Sequence, residues 1–167
     1  DNGDSVYYLV KELPEKVRQA GLATVKSFGV KSRFVHLEFF ILNEDQEGLG
    51  KKGDVLGLEV NMRPAGGYTP EMYNYSQQTD VYKIWADMIA FDYNTKPIGQ
   101  HFWTAFYGRR DGKPYKMDDY EIMMKYGDKM VMWGRIPEAL SGAMANQMYV
   151  ANFDTEEEMM AYYADLA

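Results

Sequence analysis

Acidic and amide side chains stand in two neighbouring strand-like segments at a spacing that suits a divalent cation. Glu38 lies in the first segment, and Glu59 and Asn61 lie in the second. Alternate side chains of a strand point to opposite faces, so Glu59 and Asn61 share one face, together with Arg63. If the two strands pair, the carboxylates converge and repel each other unless a cation lies between them. Two carboxylates and an amide oxygen predict a site for Mg²⁺ or Mn²⁺, whose other ligands are usually phosphates and water.

The residues that follow Asn61 are suited to anions. The planar guanidinium of Arg63 can hold a carboxylate or phosphate by two hydrogen bonds. The glycines Gly66 and Gly67 let backbone N–H groups approach an anion, and a helix that starts near Pro70 presents its positive end. Together with a metal ion, these groups are what phosphoryl transfer requires. The alternative is that the acidic residues are simply exposed and the glycines only form a turn.

The elements that must position these residues follow from the hydrophobic pattern. Residues 33–42 and 55–62 are rich in β-branched and aromatic residues and are predicted as strands, and the polar, glycine-rich stretch 43–54 predicts an antiparallel hairpin. Because both strands are otherwise apolar, we expect Glu38 and Glu59 to be partly buried. Apolar residues at helical spacing predict a helix over 14–28, with Gly29 as its stop.

The remainder of the chain also mixes helices and strands. We expect Thr69 to cap a short helix and Asp80 to cap a second one with a core-facing apolar stripe: Val81, Ile84, Trp85, Met88 and Ile89. Further strands are predicted at 101–108, 129–135 and 147–152, a helix is predicted from Asp118 to Gly127, and Asp154 with Glu157 predicts a capping box for a terminal helix. Without strict alternation of strands and helices, the pattern predicts an α+β fold, an antiparallel sheet with flanking helices.

Composition excludes several classes of function. The 167 residues have a net charge of -7, and the small basic cluster around Arg109, Arg110, Lys113 and Lys116 predicts a solvated hairpin, which argues against nucleic-acid binding. No apolar run approaches the roughly 20 residues that span a membrane. The absence of Cys excludes thiolate chemistry and disulfides, and two His residues leave an oxygen-ligated hard cation as the expected metal.

The two motifs, residues 33–40 (RFVHLEFF) and residues 58–67 (LEVNMRPAGG), resemble the C-terminal part of the ATP-grasp domain of carboxylate–amine ligases. The chain is most similar in kind to proteins related to the carbamoyl-phosphate synthase large subunit. The resemblance implies that Glu38, Glu59 and Asn61 bind the Mg²⁺ (or Mn²⁺) of ATP. It also implies that Arg63 contacts the acyl phosphate or acid substrate, with the glycines Gly66 and Gly67 beside the anion.

The resemblance covers residues 10–92, which implies a domain boundary. We expect residues 1–92 to be the metal-binding half of an ATP-grasp domain, 93–100 to be a linker with Asn, Pro and Gly, and 101–167 to be a small α+β appendage. The adenine-contacting hinge, the phosphate-binding lysines and the glycine-rich lid of the family have no counterpart in residues 1–30. We therefore expect a C-terminal fragment of a larger ligase, which alone binds ATP poorly and catalyses nothing.

Three hypotheses follow for the function of the parent protein. The first is a cytoplasmic ATP-dependent ligase that joins a small carboxylate to an amine through an acyl phosphate. Its expected partner is the missing N-terminal ATP-grasp portion, and the parent protein can form a homo-oligomer. The second is a non-catalytic ATP-grasp-like interaction or regulatory module. The third is an independent cation-binding domain, which predicts tight Mg²⁺ or Mn²⁺ binding by these 167 residues alone.

Overall fold

A computed structural model of the chain describes residues 3–96, 99 and 101–167. The chain folds into two compact units that interleave along the sequence. Unit 1 comprises Asp1–Lys11, Gly67–Val81 and Pro97–Ala167, and unit 2 comprises Glu12–Gly66 and Tyr82–Lys96. This division differs from the single boundary at 93–100 that the sequence predicts, and Pro97, Ile98 and Gln100 of that predicted linker lie outside the described residues.

Unit 1 is built on a four-stranded antiparallel sheet. Its strands, in chain order, are β1 (Ser5–Leu9), β4 (Trp103–Arg109), β5 (Met130–Arg135) and β6 (Gln147–Phe153). Their order across the sheet is β1-β4-β6-β5. Its helices are α2 (Thr69–Gln77), α4 (Asp119–Tyr126), α5 (Glu138–Met144) and α6 (Glu156–Leu166). The pairing of Ser5 with Gly108 and of Leu9 with Thr104 is the reason that the N-terminal residues belong to this unit and not with residues 12–66.

The core of unit 1 lies on both faces of this sheet. Alternate residues of β4 and β6 face one cluster with α4 and α6, and the residues between them face a second cluster that includes Met72 of α2. Both strands are therefore buried on both faces. In β6, Tyr149 and Phe153 point to the first cluster and Val150 points to the second.

Unit 2 contains two helices and one strand hairpin. Its elements are α1 (Glu15–Ser27), β2 (His36–Ile41), β3 (Val55–Asn61) and α3 (Val81–Phe91). The first residue of α3, Val81, is assigned to unit 1, and the rest of the helix belongs to unit 2. Strands β2 and β3 form an antiparallel two-stranded sheet, as the sequence predicts. Helix α1 packs against this sheet, where a Cβ on Gly21 would contact Leu37.

Two of the predicted helix starts need correction. The N-cap of α6 is Thr155, whose hydroxyl accepts from the backbone N–H of Glu158 at 3.2 Å, so the predicted cap at Asp154 is wrong by one residue. The N-cap of α2 is Tyr68 and not Thr69, and Pro70 lies in its first turn. By contrast, the predicted start and end of α4 are confirmed, since Asp118 and Glu121 form a capping box and Gly127 follows the last turn.

The predicted core-facing stripe of α3 is only partly correct, since Val81, Ile84 and Met88 are half-buried. Trp85 is 52% exposed and Ile89 is 71% exposed, whereas the buried residue of this helix is Asp87. The Asp87 carboxylate is paired with Lys83 one turn earlier and accepts a hydrogen bond from Thr95, and these contacts hold the pKa of this carboxyl below its ordinary value. Helix α3 thus buries one carboxylate and leaves two large apolar side chains exposed.

The Asp4 carboxylate ties the residue before β1 to the segment after β4. It accepts hydrogen bonds from the hydroxyls of Tyr115 (2.7 Å) and Tyr107 (3.1 Å), and its Oδ1 lies 2.9 Å from Lys113 Nζ. Burial raises the pKa of the Asp4 carboxyl, but the hydrogen bonds from Tyr115, Lys113 and Tyr107 outweigh burial and hold the pKa below its ordinary value of 3.8.

A pH dependence of stability follows from this lowered pKa. Because the folded carboxyl holds its proton less tightly than the unfolded one, its contribution is present above pH 3.8 and is lost as the pH falls through the lower folded pKa. We expect the stability difference between wild type and Asp4→Asn, measured by urea unfolding, to be constant near neutral pH and to shrink in acid. Asp128→Asn, at an exposed position of the same unit, is the control. A difference for Asp4→Asn that stays the same in acid would contradict this account.

None of the helices in the described part of the chain combines the length and apolar character that a membrane crossing requires.

Candidate metal centre

The register of the β2–β3 hairpin brings the candidate ligands together. Glu38 is the direct cross-strand partner of Glu59, and His36 is the direct partner of Asn61. Residues directly opposite each other in an antiparallel pair project to the same face, and so do residues two apart in one strand. The side chains of all four residues therefore share one face at one end of the hairpin. The expectation that Glu38, Glu59 and Asn61 converge on one face is supported by this register.

A β-bulge lies beside the acidic pair. The register shifts between Glu38 and Phe39, so that Phe39 pairs with Gly57 and Leu58 is the extra residue of β3. Bulges bend the strand and re-aim the side chains next to them. Sequence periodicity missed this feature, although a glycine inside a strand, here Gly57, is a recognised signal for it.

The two carboxylates differ in their surroundings. The Glu38 side chain is 36% exposed and its Oε1 lies 3.6 Å from His36 Nε2, whereas Glu59 is exposed to solvent. The expected partial burial is confirmed for Glu38 and is wrong for Glu59. A solvent-exposed Glu59 side chain can rotate freely, so the pair is not held in one fixed geometry.

The three residues predicted to contact an anion, Arg63, Gly66 and Gly67, follow β3 and have different surroundings. Arg63 is exposed, and its Nη1 donates to the backbone oxygen of Pro64 at 3.0 Å. Gly66 is exposed with open space where a side chain would be, so close packing does not require a glycine there. Gly67 has φ +60°, a left-handed conformation that glycine adopts without strain, and it precedes α2 in unit 1.

The donor set fits a hard divalent cation in part. Asn61 Nδ2 and His36 Nδ1 are buried atoms that have no hydrogen-bond partner among the described residues. Rotation of the amide group exchanges the nitrogen and the oxygen of Asn61, so the unpaired position can present an acceptor to a cation. In the described ranges no group of three or more His, Asp or Glu side chains is placed to hold a metal ion. Two carboxylates and an amide would therefore need phosphate oxygens and water to complete the coordination.

Unit 1 contains a buried cation that the sequence analysis placed in a solvated hairpin. Arg109 is only 5% exposed. Its Nε and Nη2 donate to the backbone oxygen of Leu166 at 3.1 and 2.8 Å, its Nη1 donates to Met117 at 2.7 Å, and its guanidinium lies 4.2 Å from the centre of the Tyr115 ring. The prediction for Arg109 is wrong because its charge is satisfied by carbonyl oxygens and not by water.

A groove of about 630 Å³ lies next to Arg109. Its charged groups are already engaged with one another, because Arg135 and Asp111 form two hydrogen bonds of 2.6 Å and Asp119 accepts from the hydroxyl of Tyr149. Burial and this hydrogen bond raise the pKa of Tyr149 well above its ordinary value, which keeps the phenol protonated. The groove is therefore a paired polar surface of the fold.

The comparisons with known proteins identify the architecture. The chain superposes on a crystal structure of phosphoribosylglycinamide synthetase from Anaerococcus prevotii with a TM-score of 0.62, over 97% of this chain and 44% of that one, at 13% sequence identity. It thus spans less than half the length of that protein. No protein-family model matches the sequence, and the search of curated proteins found no significant match. At this identity the likeness concerns the fold: the chain has an α+β architecture that corresponds to part of an ATP-grasp enzyme, as the sequence resemblance implies.

Proposed function

We propose that this chain is the metal-binding part of an ATP-dependent carboxylate–amine ligase. The observation that carries the proposal is the register of the hairpin, in which Glu38 faces Glu59 and Asn61 lies on the same face. The shared fold with part of a phosphoribosylglycinamide synthetase supports it. The closer similarity to carbamoyl-phosphate synthase-like proteins stays a prediction from the sequence.

The side chains of the hairpin bind the metal ion, and the residues that follow β3 bind the substrate. Glu38, Glu59 and Asn61 hold the Mg²⁺ or Mn²⁺ of ATP, and this ion neutralises charge on the phosphates when it is bound. Arg63 leaves the Pro64 carbonyl and turns its guanidinium to the acyl phosphate, which an exposed side chain can do at little cost. The backbone N–H groups at Gly66 and Gly67 are further donors for the anion.

The reaction itself consists of two transfers. A carboxylate oxygen of the acid attacks the γ-phosphorus of ATP, so that an acyl phosphate forms and ADP leaves. The amine then attacks the acyl carbon, phosphate leaves, and the nitrogen loses a proton to give the amide. Arg63 stabilises negative charge in both steps because its two N–H groups can bind two oxygens of one phosphoryl group.

The partner that we propose is the N-terminal portion of an ATP-grasp fold, and the surface of unit 2 supports it. Both buried apolar clusters belong to unit 1, and within the described residues of unit 2 Leu42 is the sole buried apolar residue, at 8% exposure. Large apolar side chains of unit 2 are instead exposed on β3 and α3: Leu58, Val60, Tyr82, Trp85 and Ile89. A unit without a core of its own needs another polypeptide to cover these side chains.

The net charge is distributed unequally between the two units. Unit 2 contains ten basic and ten acidic residues, so the net charge of -7 falls entirely on unit 1. The phosphoribosylglycinamide synthetase chain is more than twice as long as its part that matches this chain. Its remaining part is long enough to be the counterpart of the portion that we propose to cover unit 2.

A second candidate function, a non-catalytic interaction module, is favoured by one observation. In the described part of the chain, no three acidic or histidine side chains are placed to hold a metal ion. Unit 2 in contrast exposes many large apolar side chains. An interaction module would keep this surface and would not bind a cation at the hairpin. Metal binding therefore separates the two functions.

The test measures Mn²⁺ binding by the 167-residue chain with electron paramagnetic resonance, which reports free Mn²⁺ directly. We expect one ion to bind weakly, because the chain supplies only part of the coordination, and Glu38→Gln and Glu59→Gln each to weaken its binding by at least about tenfold, because each removes a charged ligand. Tight binding by the chain alone would instead favour an independent cation-binding domain. Glu44→Gln, in the exposed loop between the strands, is the matched control and should change nothing. Absence of binding, or binding that survives both ligand variants, would contradict the ligase proposal and favour the interaction module.

A further inference from the structure

Helix α3 is apolar on two neighbouring sides. On one side Tyr82, Trp85 and Ile89 recur at intervals of three and four residues, and they are 52%, 52% and 71% exposed. On the next side, one residue earlier at each step, the apolar residues are half-buried: Val81, Ile84 and Met88. A helix at a protein surface carries polar residues on its solvent side, whereas a helix that is apolar almost all round is buried. The exposed side of α3 therefore has the composition of a covered surface.

The charged residues of this helix are engaged with each other. Lys83 and Asp87 are the only charged residues of α3, and they are paired one turn apart. Asp87 is buried and also accepts a hydrogen bond from Thr95. Helices that lie on a membrane surface have many Lys and Arg residues on their polar side, and α3 has none apart from Lys83. The composition of α3 therefore favours an apolar protein surface as its occupant over a lipid surface.

The exposed side of α3 has the spacing of a helix-packing surface. Ala86 is exposed next to Trp85, and with Tyr82 and Ile89 these residues complete the pattern i, i+3, i+4, i+7. The four residues extend over about 10 Å of the helix, at about 1.5 Å per residue. Tryptophan and tyrosine often carry most of the binding energy of an interface, and Trp85 lies in the middle of this set.

We infer that these four residues, the docking stripe, are covered by the N-terminal portion of the ATP-grasp fold, with Trp85 as the anchor. The inference rests on the proposed function and deepens it, because it names the segment that meets the partner and requires an uncharged apolar surface on that partner. The phosphoribosylglycinamide synthetase chain is more than twice as long as its matched part, so a protein of this fold has further chain that can supply such a surface. A second copy of the present chain is the alternative occupant.

Acrylamide quenching of tryptophan fluorescence tests the docking stripe without relying on activity. It is measured on the 167-residue chain and on the complete gene product that contains it. The chain has three tryptophans, Trp85, Trp103 and Trp133. Trp133 belongs to unit 1 and is 55% exposed, so it is the matched control for Trp85. The substitutions Trp85→Phe and Trp133→Phe each remove one of the two exposed indoles, and the lost signal gives the quenching of that indole.

We expect both indoles to be quenched equally in the 167-residue chain. In the complete gene product we expect the quenching constant of Trp85 to fall at least about threefold, because the centre of an interface is packed like a protein interior. The constant of Trp133 should not change. If Trp85→Phe fails to fold, Trp133→Phe still reports Trp85, since only the half-buried Trp103 remains beside it.

Three results would overturn the docking stripe. The first is equal quenching of Trp85 in the two preparations, and the second is a gene product with no further chain before residue 1. The third is protection of Trp85 in the 167-residue chain that increases with its concentration, which would identify a second copy as the occupant. Binding of Mn²⁺ at the hairpin with an accessible Trp85 in the complete product would overturn this inference alone. A protected Trp85 without Mn²⁺ binding would support the docking stripe and overturn the metal-binding function.

Discussion

Replacing Gly108 by alanine is expected to destabilise the chain by about 3 kcal/mol, because the added methyl group has no space. A Cβ at this position would lie far inside van der Waals contact of the Met144 carbonyl oxygen and 3.1 Å from the Cβ of Ala145. Backbone cannot move aside cheaply here, since Gly108 is paired with Ser5 of β1 on one side and with Met148 of β6 on the other. The clash therefore has to be relieved by breaking part of the central sheet.

Urea unfolding followed by circular dichroism measures this loss. Gly142→Ala in α5 is the matched control, because a Cβ at Gly142 meets nothing within 4 Å. Alanine in a helix is preferred over glycine by roughly 0.5–1 kcal/mol, so the same substitution is expected to stabilise the chain slightly. Equal effects of the two substitutions would show that β4 and α5 do not approach each other as the structure has them.

The second large effect is expected for Arg109→Met, a loss of about 3 kcal/mol. The substitution removes three charge-assisted hydrogen bonds and leaves the carbonyl oxygens of Leu166 and Met117 without these donors. It also removes the guanidinium from the face of the Tyr115 ring. Arg109→Lys keeps the charge but not the planar fork, so we expect it to recover only part of the loss.

The comparison with an exposed arginine tests whether burial is the cause. Arg135→Met removes two 2.6 Å hydrogen bonds to Asp111, but both side chains are about 60% exposed, so the expected loss is below about 1 kcal/mol. Hydrogen exchange of the last turn of α6 should accelerate in Arg109→Met alone. A loss in Arg109→Met no larger than that in Arg135→Met would be inconsistent with a buried guanidinium.

Local sequence patterns predicted the hairpin that carries the candidate metal site. Alternating β-branched and aromatic residues on either side of a polar, glycine-rich stretch predicted β2, β3 and their antiparallel pairing, which the structure confirms. The cap of α4 at Asp118 was predictable for the same reason, since a capping box is encoded within four residues. The cap of α6 was misplaced because Asp154 and Thr155 are adjacent and both are good N-caps.

In unit 1, contacts between distant parts of the chain could not be predicted from local sequence patterns. Nothing in residues 5–9 shows that they pair with residues 104–108, almost a hundred positions later. The burial of Arg109 depends on carbonyl oxygens at Met117 and Leu166, which local charge patterns cannot reveal. Helix α3 was misjudged because an apolar stripe is normally turned to the core of its own domain, whereas Trp85 and Ile89 are exposed.

The sequence by itself determined the α+β class and the shared face of Glu59 and Asn61, because a period of two residues needs no tertiary information. Only the tertiary structure decided that Glu38 is opposite Glu59 and His36 is opposite Asn61, since a shift by one residue would have moved every side chain to the other face. It also decided which carboxylate is partly buried. Register and burial are set by pairing and packing between segments, and these are the properties on which a cation site at this hairpin depends.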